Sequence, residues 1–295
     1  MKIAVGIATI GRRDLLSQTL ARIALQTRMP DSVIICHVKE GDVDLGVLDD
    51  LPFETLILRS SPGLTAQRNR ILNELKKCDA VVFFDDDFFP ASDYLKQVDE
   101  LLLQNDSAVI LTGRVLADGA KGAGILPEMA DKILSASDRE HPRRGAPRNI
   151  FSAYGCNMAI RLAPVFKNGL KFDEYLPLYG WLEDMAFTRQ IVRYGEALWV
   201  PQLRGVHLAI KAARTSGLSF GYAQIANPVH LWRGGLIPWR VVLSHAGKNF
   251  VSNALRLFGS DANVDRKGRL VGNLIAMRDL FLGQLDPNRI LNLKR

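Results

Sequence analysis

Val81-Val82-Phe83-Phe84-Asp85-Asp86-Asp87 is the stretch from which the rest of this chain is read. Four large apolar residues run straight into three carboxylates. That pattern suits a strand buried on both faces that ends at a solvent-filled crevice, because the apolar run can be covered while the acids cannot be buried unpaired. In open α/β sheets, ligands bind in the crevice at the carboxyl ends of the strands. Adjacent carboxylates repel one another, and a hard divalent cation bridging them to a phosphate neutralises the cluster. The stretch therefore points to a metal-diphosphate site. The competing reading is a solvated acidic turn, the ordinary setting of such a run.

The flanks decide how the strand is framed. Lys2 to Thr9 has the small and β-branched residues of a core strand, Gly11-Arg12-Arg13-Asp14 breaks it, and Leu15, Leu16, Leu20, Ile23 and Ala24 mark a helical face. Ser32 to Val38 and Thr55 to Leu58 read as strands, Ala66 to Leu75 as a helix after the Pro62-Gly63 turn. Beyond the acids, Ser92 caps a helix with Leu95, Val98, Leu101 and Leu102 on its apolar face, and Ala108 to Val115 returns as a strand. This alternation predicts an α/β fold with a mostly parallel central sheet and right-handed crossovers. Neither a P-loop nor a G-x-G-x-x-G follows the first strand, so a metal would have to meet the phosphate charge.

Periodicity fails from Ala117 to Arg148, where glycine, proline and the cluster Arg139, His141, Arg143, Arg144 and Arg148 suggest a long loop, either closing over an anion or simply solvated. Order resumes at Cys156 to Arg161. Trp181-Leu182-Glu183-Asp184 then opens a helix that carries Phe187, Ile191 and Val192 and stops at Gly195. Acids in a first helical turn are favoured by the helix dipole, so Glu183 and Asp184 read equally as helix starters or as site residues. Ala197 to Pro201 and Arg204 to Leu208 read as two short strands, the second holding His207. After the polar stretch Lys211 to Gly217 the chain becomes helical, and Trp232, Arg233, Trp239, Arg240, His245, Lys248, Phe250 and Arg256 interleave aromatic and basic residues as interfacial helices do.

Composition bounds the rest. With 295 residues, 47% hydrophobic and 23% charged, the chain suits one large α/β domain with an appendage, or two domains, and excludes general disorder. Cys36, Cys78 and Cys156 lack metal-ligand spacing and fit a reduced compartment. No apolar stretch approaches the roughly 18 residues that cross a bilayer. The net charge of +7 is uneven: eleven Lys/Arg stand against four Asp/Glu from Pro228 on, and 27 against 27 before it. A neutral body with a basic tail suggests an anionic partner surface, membrane lipid or nucleic acid. No nucleic-acid-binding motif accompanies the tail, so lipid is the expected partner.

Five segments together resemble a known family: Ala8-Thr9-Ile10-Gly11-Arg12, Gly63-Leu64-Thr65-Ala66-Gln67-Arg68-Asn69, Asp85-Asp86-Asp87, Glu183-Asp184 and His207. In order and spacing they are similar to family 2 glycosyltransferases of the GT-A fold, most of all the bacterial enzymes that build exopolysaccharide repeat units, of the succinoglycan type. The resemblance spans about residues 1 to 210. It implies a catalytic domain over 1–217, with a nucleotide-binding half to about 116 and an acceptor half from about 117, followed by a basic helical extension over 218–295.

The resemblance also implies roles. Asp87 and His207, with Asp85, would hold Mn2+ or Mg2+ against the diphosphate of a nucleotide sugar, a UDP-sugar with glucose favoured. Asp85 would sit by the nucleoside, and Asp86 by the ribose or behind the metal. Asp184 matches the base that takes the acceptor's proton in an inverting displacement, while Glu183 would hold a helix amide or the acceptor, or exchange roles with it. Thr9, Arg12 and Arg68 match positions lining the nucleotide pocket, although Arg68 would equally pair with the acidic triplet. After the second strand the chain departs from the family: where an aspartate pair usually meets the nucleobase it has His37-Val38-Lys39-Glu40-Gly41-Asp42, leaving Glu40 or Asp42 as substitutes. The implied setting is cytoplasmic, peripheral at the inner face of the cell membrane, with a lipid-linked oligosaccharide as acceptor and a homodimer compatible with the tail. Two other readings remain open at this point: a metal-dependent nucleotidyltransferase using the same acidic crevice, and a binding module for anionic surfaces.

Overall fold

The structure is a computed structural model that describes residues 1–139, 145–210, 216–257 and 264–293. Nine strands are present among these residues: β1 (Ile3–Ala8), β2 (Ser32–His37), β3 (Thr55–Arg59), β4 (Ala80–Asp85), β5 (Phe88–Pro90), β6 (Ala108–Asp118), β7 (Arg148–Asn149), β8 (Asn157–Arg161) and β9 (Glu196–His207). The helices are α1 (Arg13–Ile23), α2 (Leu45–Leu48), α3 (Leu64–Leu72), α4 (Tyr94–Gln104), α5 (Pro127–Arg139), α6 (Leu162–Lys167), α7 (Glu183–Ile191), α8 (Gly217–Arg233), α9 (Trp239–Leu255) and α10 (Arg266–Phe281).

One sheet runs in the order β3-β2-β1-β4-β8-β6-β9-β5, with β7 paired to β9. The first four strands are parallel, as alternating strands and helices require. Beyond β4 the sheet is mixed: β8 is antiparallel to both β4 and β6, β9 is parallel to β6, and β5 and β7 are antiparallel to β9. From β1 the chain proceeds outward to β2 and β3, then returns to place β4 on the other side of β1. That reversal is a topological switch point, and Ala8 pairs with Asp85 at its carboxyl edge.

β4 is covered on both faces. Ala80, Val82 and Phe84 join one core with Ile3, Val5, Ile7 and Leu16, whereas Val81 and Phe83 join the opposite core with Ile71, Phe172 and Phe187. The apolar run is continuous for that reason. A third core ties Leu176, Leu182, Met185 and Ala186, around the start of α7, to Tyr222, Ile225 and Val229 of α8 and to Ala276 of α10. The C-terminal helices are thus packed on the element that carries Glu183 and Asp184.

Several expectations about single elements differ. The segment expected as a loop from Ala117 to Arg148 contains α5, which buries only Ala130, Leu134 and Ser137, too few large residues to show as a period. Arg139 ends α5 and Arg148 lies on β7 with its guanidinium 4.5 Å over the Trp199 ring, while His141, Arg143 and Arg144 lie outside the described residues. Most of the polar stretch 211–217 is likewise outside them. The two short strands expected around Pro201 are one, β9, whose register against β6 jumps between Gly113–Val200 and Arg114–Arg204. Pro201 cannot donate to a ladder, and the bulge absorbs it without ending the strand. The residue before α4 is Asp93, not Ser92, and it caps nothing with its side chain, because its Oδ1 accepts from Arg204 Nη2 at 2.9 Å. The helix opening at Glu183 ends at Ile191, short of Gly195.

Candidate active site

The acids leave β4 at the switch point and diverge. Asp86 turns inward: Thr9 Oγ1 donates to its Oδ2 at 2.7 Å, Arg12 Nη1 donates to its Oδ1 at 2.9 Å, and Thr19 Oγ1 donates to its backbone carbonyl at 2.7 Å. Burial, reinforced by the neighbouring Asp87 charge, pushes its carboxyl up to about 7. Asp87 Oδ2 also accepts from Arg12 Nη1, at 2.8 Å. Its Oδ1 is buried and accepts no hydrogen bond, although His207 Nε2 stands 3.4 Å away. Burial opposes the Asp87 charge, but His207 and Arg12 outweigh it and hold the carboxyl below its ordinary range.

His207 comes to this point because β9 runs beside β6, pairing His207 with Asp118. Its Nδ1 lies 3.0 Å from Asp118 Oδ1, and Tyr154 donates its hydroxyl to Asp118 Oδ2 at 2.9 Å. Burial disfavours the Asp118 charge, yet the bonds from His207, the Ala120 amide and Tyr154 bring its carboxyl down to about 2. A carboxylate can only accept, so Nδ1 carries the proton and Nε2 is directed at Asp87 and Asp85, the latter at 3.9 Å. Burial alone would lower the imidazole, whereas Asp118 and Asp87 raise it, to about 10. A cation at Nε2 therefore competes with a proton.

Asp85, Asp87 and His207 each offer one ligand atom, all within 4.8 Å of one another. Two carboxylate oxygens and one imidazole are a donor set that could hold a divalent cation. Asp87 Oδ1, buried with no hydrogen bond and only His207 Nε2 facing it at 3.4 Å, is the observation that fits a cation best, since a weakly satisfied buried acceptor is costly.

A second network joins the triplet to α7. The buried Arg68 side chain donates to Asp85 Oδ1 at 3.1 Å, to the Gly155 carbonyl at 2.7 Å and to Glu183 Oε1, and its guanidinium lies 5.4 Å from the Phe83 ring centre and 5.5 Å from that of Phe172. Its pairing with the triplet, one of the two roles read for it, is thus realised. Arg68 stays charged despite burial because Glu183 and Asp85 flank it. Gly155 N donates to Asp184 Oδ2 at 3.0 Å and Met185 N to Asp184 Oδ1 at 2.7 Å. Leu182, just before them, sits in the left-handed region at φ 70°, a conformation that costs a branched residue about 1–3 kcal/mol and turns the two acids into place. Glu183 is buried, while Asp184 is only part-buried, and burial raises the Asp184 carboxyl against its two amide donors.

The structure brings Thr9, Arg12, Arg68, Asp85, Asp86, Asp87, Glu183, Asp184 and His207 into one contiguous set. Glu40 does not join it: its side chain is 91% exposed, and its carboxylate lies 3.8 Å from Arg59 on β3. Asp42 is consumed locally, accepting from the amides of Gly11, Val38 and Lys39 and so fixing the loop after β1. The sequence reading did not single out Asp118, Tyr154 or Gly155. It also passed over Tyr179, whose exposed ring lies 5.7 Å from that of Phe220 on α8. Only the pairing of β6 with β9 exposes the role of Asp118.

Among solved structures, the chain is similar to S. aureus TarS, with a TM-score of 0.52 and 17% identity over 78% of this chain and 40% of that one. It is similar to S. aureus TarS 1–349 in complex with UDP-GlcNAc, at TM-score 0.56 and 15% identity over 98% and 83% of the two chains. GalNAc-T7 with UDP, GalNAc and Mn2+ aligns at TM-score 0.54 and 13% identity over 77% and 50%. At these identities the likeness is one of fold, and it identifies the curled sheet as that of GT-A glycosyltransferases. The chain spans less than half the length of TarS and half that of GalNAc-T7. No curated protein matches it. Residues 4–166, more than half of the chain, match the glycosyl transferase family 2 model, and the chain belongs to that family.

Proposed function

We propose that this glycosyltransferase moves a hexose, glucose favoured, from a UDP-sugar to a hydroxyl of a lipid-linked oligosaccharide, with inversion, in exopolysaccharide or cell-surface glycan synthesis of the succinoglycan type. The observation that carries the donor side is the cluster of Asp85, Asp87 and His207 at the switch point, in which the buried Asp87 Oδ1 accepts no hydrogen bond. Proteins of similar fold bind UDP, UDP-GlcNAc and Mn2+, which supports the same donor chemistry here. A divalent cation held by these three residues supplies Lewis-acid stabilisation of the charge on the departing diphosphate.

The chain's own groups do the rest. Arg12 spans Asp86 and Asp87 and holds both carboxylates in place. Asp184, open to the crevice and fixed by two amides, takes the proton from the acceptor hydroxyl as that oxygen attacks the anomeric carbon opposite the leaving group, which inverts the centre. Glu183 neutralises Arg68 and keeps α7 joined to Asp85. Tyr179, with its ring 56% exposed, offers an apolar face to the C–H face of a sugar. No helix among the described residues is long and apolar enough to cross a membrane, so a lipid-linked acceptor calls for peripheral docking.

A panel of UDP-sugars with Mn2+ or Mg2+ tests this reading. UDP release from one donor, stopped by chelator, is expected, with product of inverted anomeric configuration once acceptor is added. Pyrophosphate release from a nucleoside triphosphate, with no UDP from any donor, would instead identify a nucleotidyltransferase.

A further inference from the structure

Helix α9 carries an exposed stripe at four-residue spacing: Trp239, Leu243, Gly247, Val251 and Leu255. Its large side chains are 61%, 58%, 52% and 79% exposed in that order. Gly247 meets nothing within 4 Å where a Cβ would stand, and it opens a shallow groove of about 540 Å³ lined by Leu243, Val251, Leu255, Lys248 and Arg256. Arg240 and Lys248 are exposed on the helix and Arg256 at its C-terminal end, the last two lining the groove. The opposite side of α9 is anchored, for Val242 joins the third core and Asn253 bonds Gln224 and Asn273. The stripe is thus an outward face of a firmly packed helix.

Charge decides what covers it. From Ala197 to Ser260 the sequence holds no Asp or Glu and seven Lys or Arg. A second copy of the chain laid on this face would bring Arg240, Lys248 and Arg256 against their own equivalents with no acid to receive them, and like charges across an interface oppose association. An anionic lipid surface meets both features, taking the apolar side chains between its headgroups and the cations at its phosphates.

We infer that the Trp239–Leu255 face of α9 is the surface on which the protein docks to anionic membrane lipid; the inference rests on the proposed lipid-linked acceptor for its purpose, not for its geometry.

The test is co-sedimentation of the full chain with vesicles of phosphatidylcholine alone or mixed with phosphatidylglycerol, alongside sedimentation velocity without lipid. Wild type should bind only the mixed vesicles and release with salt. Each cation near the surface contributes about a fivefold factor in partition, so Lys248→Glu with Arg256→Glu should lower binding by more than about 25-fold. Leu243→Ser with Val251→Ser and Leu255→Ser should abolish it, and both variants should hydrolyse UDP-sugar as wild type does. Equal partition of wild type and variants, or a wild-type dimer that the serine variant dissociates, would overturn the inference. Vesicle binding by a protein that hydrolyses no UDP-sugar would keep the docking surface and reject the transferase reading instead.

Discussion

In the proposed reaction Asp184 takes the acceptor proton, and its surroundings set the pH at which it can do so. Burial raises its carboxyl above the ordinary range, and a base must be ionised to accept a proton, so transfer should fall as pH drops through that raised value. The acid limb of kcat/KM is therefore expected above the range of a free aspartate. Asp184→Asn, which keeps size and removes basicity, should retain UDP binding while transfer falls by about two to four orders of magnitude. Normal transfer by this variant, with loss in Glu183→Gln, would reverse the two roles.

Asp118 acts through another residue, holding His207 by Nδ1. Asp118→Asn is expected to weaken Mn2+ binding about 10- to 100-fold, read by titration calorimetry, with the folded chain intact. Asp85, Asp86, Asp87, Glu183 and Asp184 were legible because acids beside apolar runs stand out in a linear pattern. Asp118 ends a strand with no such signal, and it becomes visible only when β6 is laid against β9.

At the scale of elements, β1 and β4 were readable because both faces are covered and the sequence stays apolar throughout. α5 was not, since its inward side is Ala130, Leu134 and Ser137 while Leu126 and Met129 face solvent. β9 was split by Pro201, whose bulge depends on its neighbour β6. The pairing of α8 with α10 was also hidden. A Cβ on Gly221 would lie 2.1 Å from the Arg269 carbonyl, and one on Gly272 would lie 2.1 Å from that of Leu218, so the backbones meet where only glycine fits. Gly221→Ala should therefore part the helices and destabilise the fold by about 1–3 kcal/mol, measured as a lower urea midpoint at unchanged slope. An unchanged midpoint would mean that the helices yield freely.

Across the whole molecule the division of charge in the sequence corresponds to a division of surfaces. The neutral first part folds into the sheet whose switch point gathers the acids, and the basic part supplies helices that share a core with α7 and expose cations on α9. The nucleobase end of the crevice was the least legible region, because Asp42 and Glu40 look alike as acids in the sequence, yet one is taken up by three amides and the other stands in solvent. In the proposed donor site, Asp87 and its neighbours bind a diphosphate through a divalent cation. Calorimetric titration of UDP into wild type, Asp87→Ala and Asp184→Asn, each with Mn2+ and with chelator, tests it most directly. Binding by wild type and Asp184→Asn only when Mn2+ is present, and none by Asp87→Ala, is predicted; equal UDP affinity with chelator, or in Asp87→Ala, would contradict it.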